Sequence, residues 1–105
     1  MKVNDITKKI ERMHESSDWY AMIENLKGRV RDALDKKEYW RALTRMDDLQ
    51  WNDPGKVRLG LDMEQHREGL VREMLELIKS GEMLIPYGAA KCMQDNMNLT
   101  WPELD

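Results

Sequence analysis

Between Trp19 and Leu34 the apolar residues recur in steps of three and four: Trp19, Met22, Ile23, Leu26, Val30, Ala33 and Leu34. A side chain on an α-helix turns about 100° per residue, so this set gathers on one stripe, where a strand would scatter it over both faces. The stripe stays in phase for about four turns and predicts an amphipathic helix capped by Ser17 or Asp18. Gly28 falls on its solvent side. After Asp35-Lys36-Lys37-Glu38 the same period resumes with Tyr39, Ala42, Leu43, Met46 and Leu49. That predicts a second helix folded back on the first. A single helix running through Lys36-Lys37 is the alternative, because neither Gly nor Pro stands there to break it. Asp18 to Trp51 is therefore read as the hairpin that organises the chain.

The run from Ala33 to Leu43, Ala-Leu-Asp-Lys-Lys-Glu-Tyr-Trp-Arg-Ala-Leu, resembles the turn between the two helices of a tetratricopeptide-type hairpin. It lacks that family's usual turn glycine, and a step of about 34 residues lands on Glu68, Glu73 and Glu76 instead of a second copy. The resemblance implies an antiparallel hairpin and nothing further.

On either side of this hairpin the pattern is shorter. Asn4 or Asp5 caps a first short helix carrying Ile6, Ile10 and Met13, broken at Ser16-Ser17. Trp51-Asn52-Asp53-Pro54-Gly55-Lys56 holds four turn formers in a row and ends the hairpin. Val57 to Leu61 alternates apolar and non-apolar residues, as a short extended segment does. Asp62 with Gln65 three residues on gives a capping-box-like start to a helix whose broad apolar face holds Met63, Leu70, Val71, Met74, Leu75, Leu77 and Ile78. Ser80-Gly81 stops it. Such a width predicts packing across both arms of the hairpin, and Glu68 with Arg72 supports the exposed side. Met83-Leu84-Ile85 ends at Pro86 and is read as extended, a candidate partner for Val57 to Leu61. A small helix from Gly88 to Met97 carries Ala89, Ala90, Cys92, Met93 and Met97. Thr100-Trp101-Pro102-Glu103 has the form of one more helix start. The expected fold is an all-α bundle of four to five helices built on the antiparallel hairpin, with room for one short extended pair. It is read as one domain over 1–105, with 98–105 a tail that docks back through Leu99, Trp101 and Leu104 or is offered to a partner.

Charge narrows the partners. Of the 105 residues 35% are charged, and the net charge is -3. Sixteen Lys and Arg balance sixteen Asp and Glu before Ser80, interleaved along the chain. Binding to a phosphate backbone draws on a clustered basic excess, so nucleic acid is an unfavoured partner. A membrane span is not expected, since no run approaches the roughly 20 apolar residues required. The N-terminal stretch lacks the apolar core of a secretory signal, and the lone Cys92 has no internal disulfide partner; both point to the cytoplasm.

Chemistry-bearing motifs are sparse. Glu11 and His14 have the Glu-x-x-His spacing of di-iron carboxylate bundles, but the second copy that such a centre needs is absent. His66 at a helix edge and Cys92 would have to be assembled by folding to form a nucleophile and base, and a cysteine among Ala and Met is more often a small buried hydrophobe. No phosphate-binding glycine loop, His-Glu-x-x-His or Cys-x-x-Cys is present. No catalytic set, metal or cofactor is expected.

Aromatic content carries more. The chain has four Trp, three Tyr and nine Met and no Phe. Trp40, Thr44, Asp47 and Trp51 form a second line on the predicted second helix, about 60 to 100° from its main stripe. Tryptophan is enriched at interface hot spots, and methionine suits adaptable surfaces. The competing reading, which this spacing slightly favours, packs the line on a neighbouring helix of the same bundle. These features lead to a non-enzymatic protein-protein interaction module. It would be a small cytosolic adaptor, inhibitor or assembly factor, of a kind that phages and mobile elements encode, binding a host complex or its own copy as a homodimer. Trp40, Thr44, Asp47, Trp51 and Trp101 are its expected contact residues. The alternative is a regulatory nucleic-acid module using Lys27, Arg29, Arg31, Lys36, Lys37, Arg41 and Arg45 of the hairpin.

Overall fold

The computed structural model describes residues 17–53, 58–81 and 87–99. Among them are four α-helices: α1 (Ser17–Asp35), α2 (Tyr39–Asn52), α3 (Arg67–Ser80), which a 3-10 turn at Glu64–His66 leads into, and α4 (Tyr87–Met97). They form a small all-α bundle on the α1-α2 hairpin, with no strand among the described residues. The helix expected at Ile6 to Met13, the segment Met83 to Ile85 and the tail from residue 100 on, with Trp101 and Leu104, lie outside the described residues, while Leu99 at the start of the tail is buried in the core.

Lys36-Lys37 is a turn, and the single-helix alternative is overturned. Lys37 adopts φ +57°, the left-handed conformation usually given to glycine. Its N–H donates to Leu34 O at 3.0 Å, and the Glu38 N–H donates to Ala33 O at 2.9 Å. These two bonds are the Schellman arrangement, which satisfies carbonyls that the end of α1 would otherwise leave open. A backbone motif thus replaces the missing glycine, at a cost of about 1 to 2 kcal/mol for a left-handed L-residue.

Helix α2 is the common neighbour: α1, α3 and α4 each pack on it. Ala42, Leu43, Met46 and Leu49 on its inner stripe are wholly buried, as are Val30 and Leu34 opposite them on α1. Full burial of a leucine or methionine contributes about 1.5 to 3 kcal/mol, so this stripe is the main source of stability. Trp19 and Leu26 pack at its margin, whereas Met22 is 40% exposed. Met22 lies about 60 to 80° from the centre line of its stripe, on the flank that α2 leaves uncovered.

The third helix is narrower than its sequence suggests. Leu70 and Met74 are buried, Val71 and Leu77 pack partly, and Ile78 is exposed. Such a stripe fills one groove, and α3 lies chiefly against α2 and not across both arms. Its start is close to the expected one. The Asp62 carboxylate accepts the Glu64 N–H at 3.2 Å, and the Gln65 amide donates to Asp62 O at 3.2 Å. A full capping box would have Gln65 reach the Asp62 N–H. Gly81 at φ +77° closes the helix.

Arg58 to Leu61 form no strand. Leu59 is buried, and side chains from two helices hold its backbone: Arg31 of α1 donates through Nε to Leu59 O at 2.9 Å, and Asn96 Oδ1 of α4 accepts the Leu59 N–H at 2.9 Å. Both polar groups are satisfied without a neighbouring strand.

Candidate functional site

Trp40, Thr44, Asp47 and Trp51 share one face of α2, about 110 to 170° from the centre line of the buried stripe. Trp40 is 51% exposed and Trp51 65%. The tryptophans therefore are not buried in the bundle as the competing reading had it; Asp47, and Trp51 at its rim, meet a neighbouring helix.

Asp47 organises this face. Its Oδ1 accepts the Trp51 indole N–H at 3.2 Å and the Gly88 N–H at 3.0 Å. The second bond places a carboxylate on the first turn of α4, where backbone N–H groups have no partner in the helix and the dipole favours negative charge. Gly88 makes the approach possible. A Cβ there would stand 2.4 Å from Asp47 Oδ1 and 2.9 Å from the Asp47 Cα and carbonyl oxygen.

Docking α4 in this way brings Tyr87, 46% exposed, beside Trp51, with ring centroids 6.1 Å apart and planes at 45°. The two rings form an aromatic shelf at the C-terminal end of the edge. At the other end the Arg41 guanidinium lies 5.2 Å from the centre of the Trp40 ring, a cation-π distance, while pairing with Glu38 at 2.8 Å. Between them the Thr44 hydroxyl donates to Trp40 O at 3.0 Å. Tyr87 was absent from the sequence-derived contact set. A glycine in the first turn of a short helix directly after it is the one signal of a close approach there. Trp101 lies outside the described residues.

The other candidates resolve differently. His66 is buried, with Nδ1 sharing a 3.0 Å hydrogen bond with the Tyr39 hydroxyl and the two rings edge to face at 5.6 Å. Tyr39 in turn covers Gly69, where a Cβ would come within 2.3 Å of its ring. His66 thus pins the 3-10 turn to the start of α2. Cys92 is buried in α4, with Asn96 Nδ2 3.6 Å from its Sγ. Burial, and secondarily the charge of Asp95, pushes its thiol up to about 12, although the Asn96 contact works the other way. A neutral thiol at physiological pH is no nucleophile. The folding-assembled His-Cys pair is replaced by a Tyr-His pair and a Cys-Asn pair. Glu11 and His14 lie outside the described residues, and among those described no three His, Cys, Asp or Glu side chains gather as a metal site would require.

Five of the seven basic residues of the hairpin are engaged within the chain. Lys27 pairs with Glu24, Lys36 with Asp32, Arg41 with Glu38 and Arg45 with Asp48, while Arg31 holds Leu59 O. An interleaved, paired surface offers little net field to a phosphate backbone. An open groove of about 790 Å³ runs along α3 over Val71, Leu75 and Leu99. Its rim charges pair with one another, Arg67 with Glu64 and Arg72 with Glu68, and supply no converging polar group for a small ligand. No described helix is long and apolar enough to cross a membrane.

Comparison with protein-family models, curated proteins and solved structures gave no match.

Proposed function

We propose that this protein is a non-enzymatic protein-protein interaction module that docks through the outer edge of α2. The observation behind this reading is the combination of two largely exposed tryptophans on one helical face with polar groups between them that are already hydrogen-bonded inside the chain. Covering an aromatic face with a partner is favourable only if no buried donor or acceptor is stranded by it. Thr44 and Asp47 Oδ1 have their partners before any docking, so neither is stranded when the aromatic area is covered. Trp40, Trp51 and Tyr87 supply large rigid contact area, the kind that dominates hot spots. Acting in the cytosol, where its single thiol stays reduced, such a chain serves as an adaptor, inhibitor or assembly factor. The nucleic-acid alternative has no comparable support, because its basic residues are largely paired.

The experiment is affinity capture from the native host by the wild-type chain and by the double variant Trp40→Ala with Trp51→Ala, read by quantitative mass spectrometry. The expected result is a specific protein whose recovery falls more than about tenfold in the variant, with the circular dichroism and melting of the variant close to wild type. Undiminished capture, or a variant that no longer folds, removes the edge as the docking surface.

A further inference from the structure

We infer that the occupant of the α2 edge is a second copy of this chain, the two α2 helices running antiparallel about a two-fold axis that passes between Thr44 and Asp47. The inference rests on the reading of that edge as a docking surface and names its partner.

Spacing is the first argument. Trp40, Thr44, Asp47 and Trp51 follow one another in steps of four, three and four, the pattern of seam positions in a two-helix coiled contact. Eleven residues separate the tryptophans, about 16 Å of helix at 1.5 Å per residue. Reversing one copy about the midpoint sets Trp40 of each chain against Trp51 of the other, and Thr44 against Asp47. Such a face is complementary to itself, as a two-fold interface must be. The small Thr44 near the axis lets the helices approach. The shelf of Trp51 and Tyr87 then receives the indole of Trp40 from the second copy, so both aromatic ends are filled by the same operation.

Charge is the second. Arg41 and Asp48 each follow a seam residue directly, seven positions apart, and therefore lie on the same flank of α2. Both side chains are about half exposed, and each already pairs three residues away in its own chain, Arg41 with Glu38 and Asp48 with Arg45, so a cross-chain contact shares these charges. A two-fold axis perpendicular to the helices lays this flank on its own reverse, bringing Arg41 of each copy to Asp48 of the other. The opposed helix dipoles act in the same sense.

Area is the third. The exposed halves of three aromatic rings amount to on the order of 300 Å² per copy, or roughly 600 Å² for the pair, against the 1,200 to 2,000 Å² of a stable complex. The aromatic part alone falls below that range, in the size class of weak, reversible association.

Sedimentation equilibrium of the full chain tests this. The wild type is expected to show a monomer-dimer equilibrium in the micromolar range, and either Trp40→Ala or Trp51→Ala to weaken it by about tenfold or more. Arg41→Asp and Asp48→Arg are each expected to weaken it several-fold, and the two in one chain to restore it within about twofold, since both cross-chain pairs are then reversed together. Thermal melts of each variant at low concentration separate lost association from lost folding. A wild-type chain that stays monomeric up to about 1 mM, or a double reversal no better than its single members, overturns the inference. The two readings part in their failures. If the chain is monomeric while the tryptophan variants still lose a captured host protein, only the self-pairing falls. If a dimer persists in the tryptophan variants, the docking edge falls with it.

Discussion

Leu43 and Trp40 stand three residues apart on α2, yet one is wholly buried and the other keeps half its surface in solvent. The inner stripe meets three helices, and every side chain on it is covered. The outer edge carries two tryptophans that stay at least half exposed, and only Asp47 and the rim of Trp51 reach α4 there. Hydrophobicity alone therefore does not decide burial on this helix. What decides it is which side the remaining chain is able to reach, and α4 reaches the outer side with its first turn alone.

If this contrast is sound, Leu43→Ala should cost about 2 to 5 kcal/mol by chemical denaturation, and Trp51→Ala less than about 1 kcal/mol under the same conditions. Comparable losses would mean that the edge belongs to the core. Gly88→Ala addresses the point where the two faces join. Its methyl has to displace the backbone of α2 or of α4, and a loss of about 1 to 3 kcal/mol is expected, accompanied by a change in Trp51 fluorescence as the Asp47 bond lengthens. A stable variant with unaltered fluorescence would show that α4 is not anchored there.

The thiol offers a chemical version of the same contrast. The folded pKa of Cys92 is raised, so the folded state retains a proton that the unfolded chain releases first. The resulting stabilisation is complete below about pH 9 and disappears as the pH climbs towards 12. Wild type should lose more stability over that interval than Cys92→Ala, and at pH 8 the native thiol should resist alkylation until the protein unfolds. Rapid labelling of the native chain would place Cys92 outside the interior. The smallest effect concerns the hairpin turn. Lys37→Gly removes left-handed strain and adds unfolded-state entropy, for a net gain of up to about 1 kcal/mol. A loss instead would show that the Lys37 side chain contributes more than its backbone conformation costs.

Much of the architecture was legible because it depends on period. The stripes of α1 and α2, the stop at Gly81 and the buried set Ala89, Ala90, Cys92, Met93 and Met97 follow from spacing and one glycine. What escaped depends on contacts between distant parts of the chain. Alternation at Val57 to Leu61 looked extended, yet Leu59 is held by Arg31 and Asn96, partners 28 and 37 residues away. Lys37 gave no sign of a left-handed turn, since the bonds that secure it belong to the backbone. Gln50, buried in α2 with its Oε1 unpaired among the described residues, carries no mark that sets it apart from an exposed glutamine. At the candidate edge, helical spacing located Trp40, Thr44, Asp47 and Trp51. It was silent on Tyr87 and on the use of Asp47 to receive α4, because a helix wheel contains no information about other helices.

The position of α2 beneath all three of its neighbours also governs how the molecule opens. An amide in a helix held on one side exchanges its hydrogen through local fraying, but detaching α2 requires α1, α3 and α4 to separate from it together. Its central amides, near Leu43 and Met46, should therefore exchange only through global unfolding, while those in the last turn of α3 around Ile78 exchange orders of magnitude faster. A partner arriving at Trp40 and Trp51 lands at the two ends of the helix whose centre is expected to open last among the described helices, so little ordering entropy is lost when it binds.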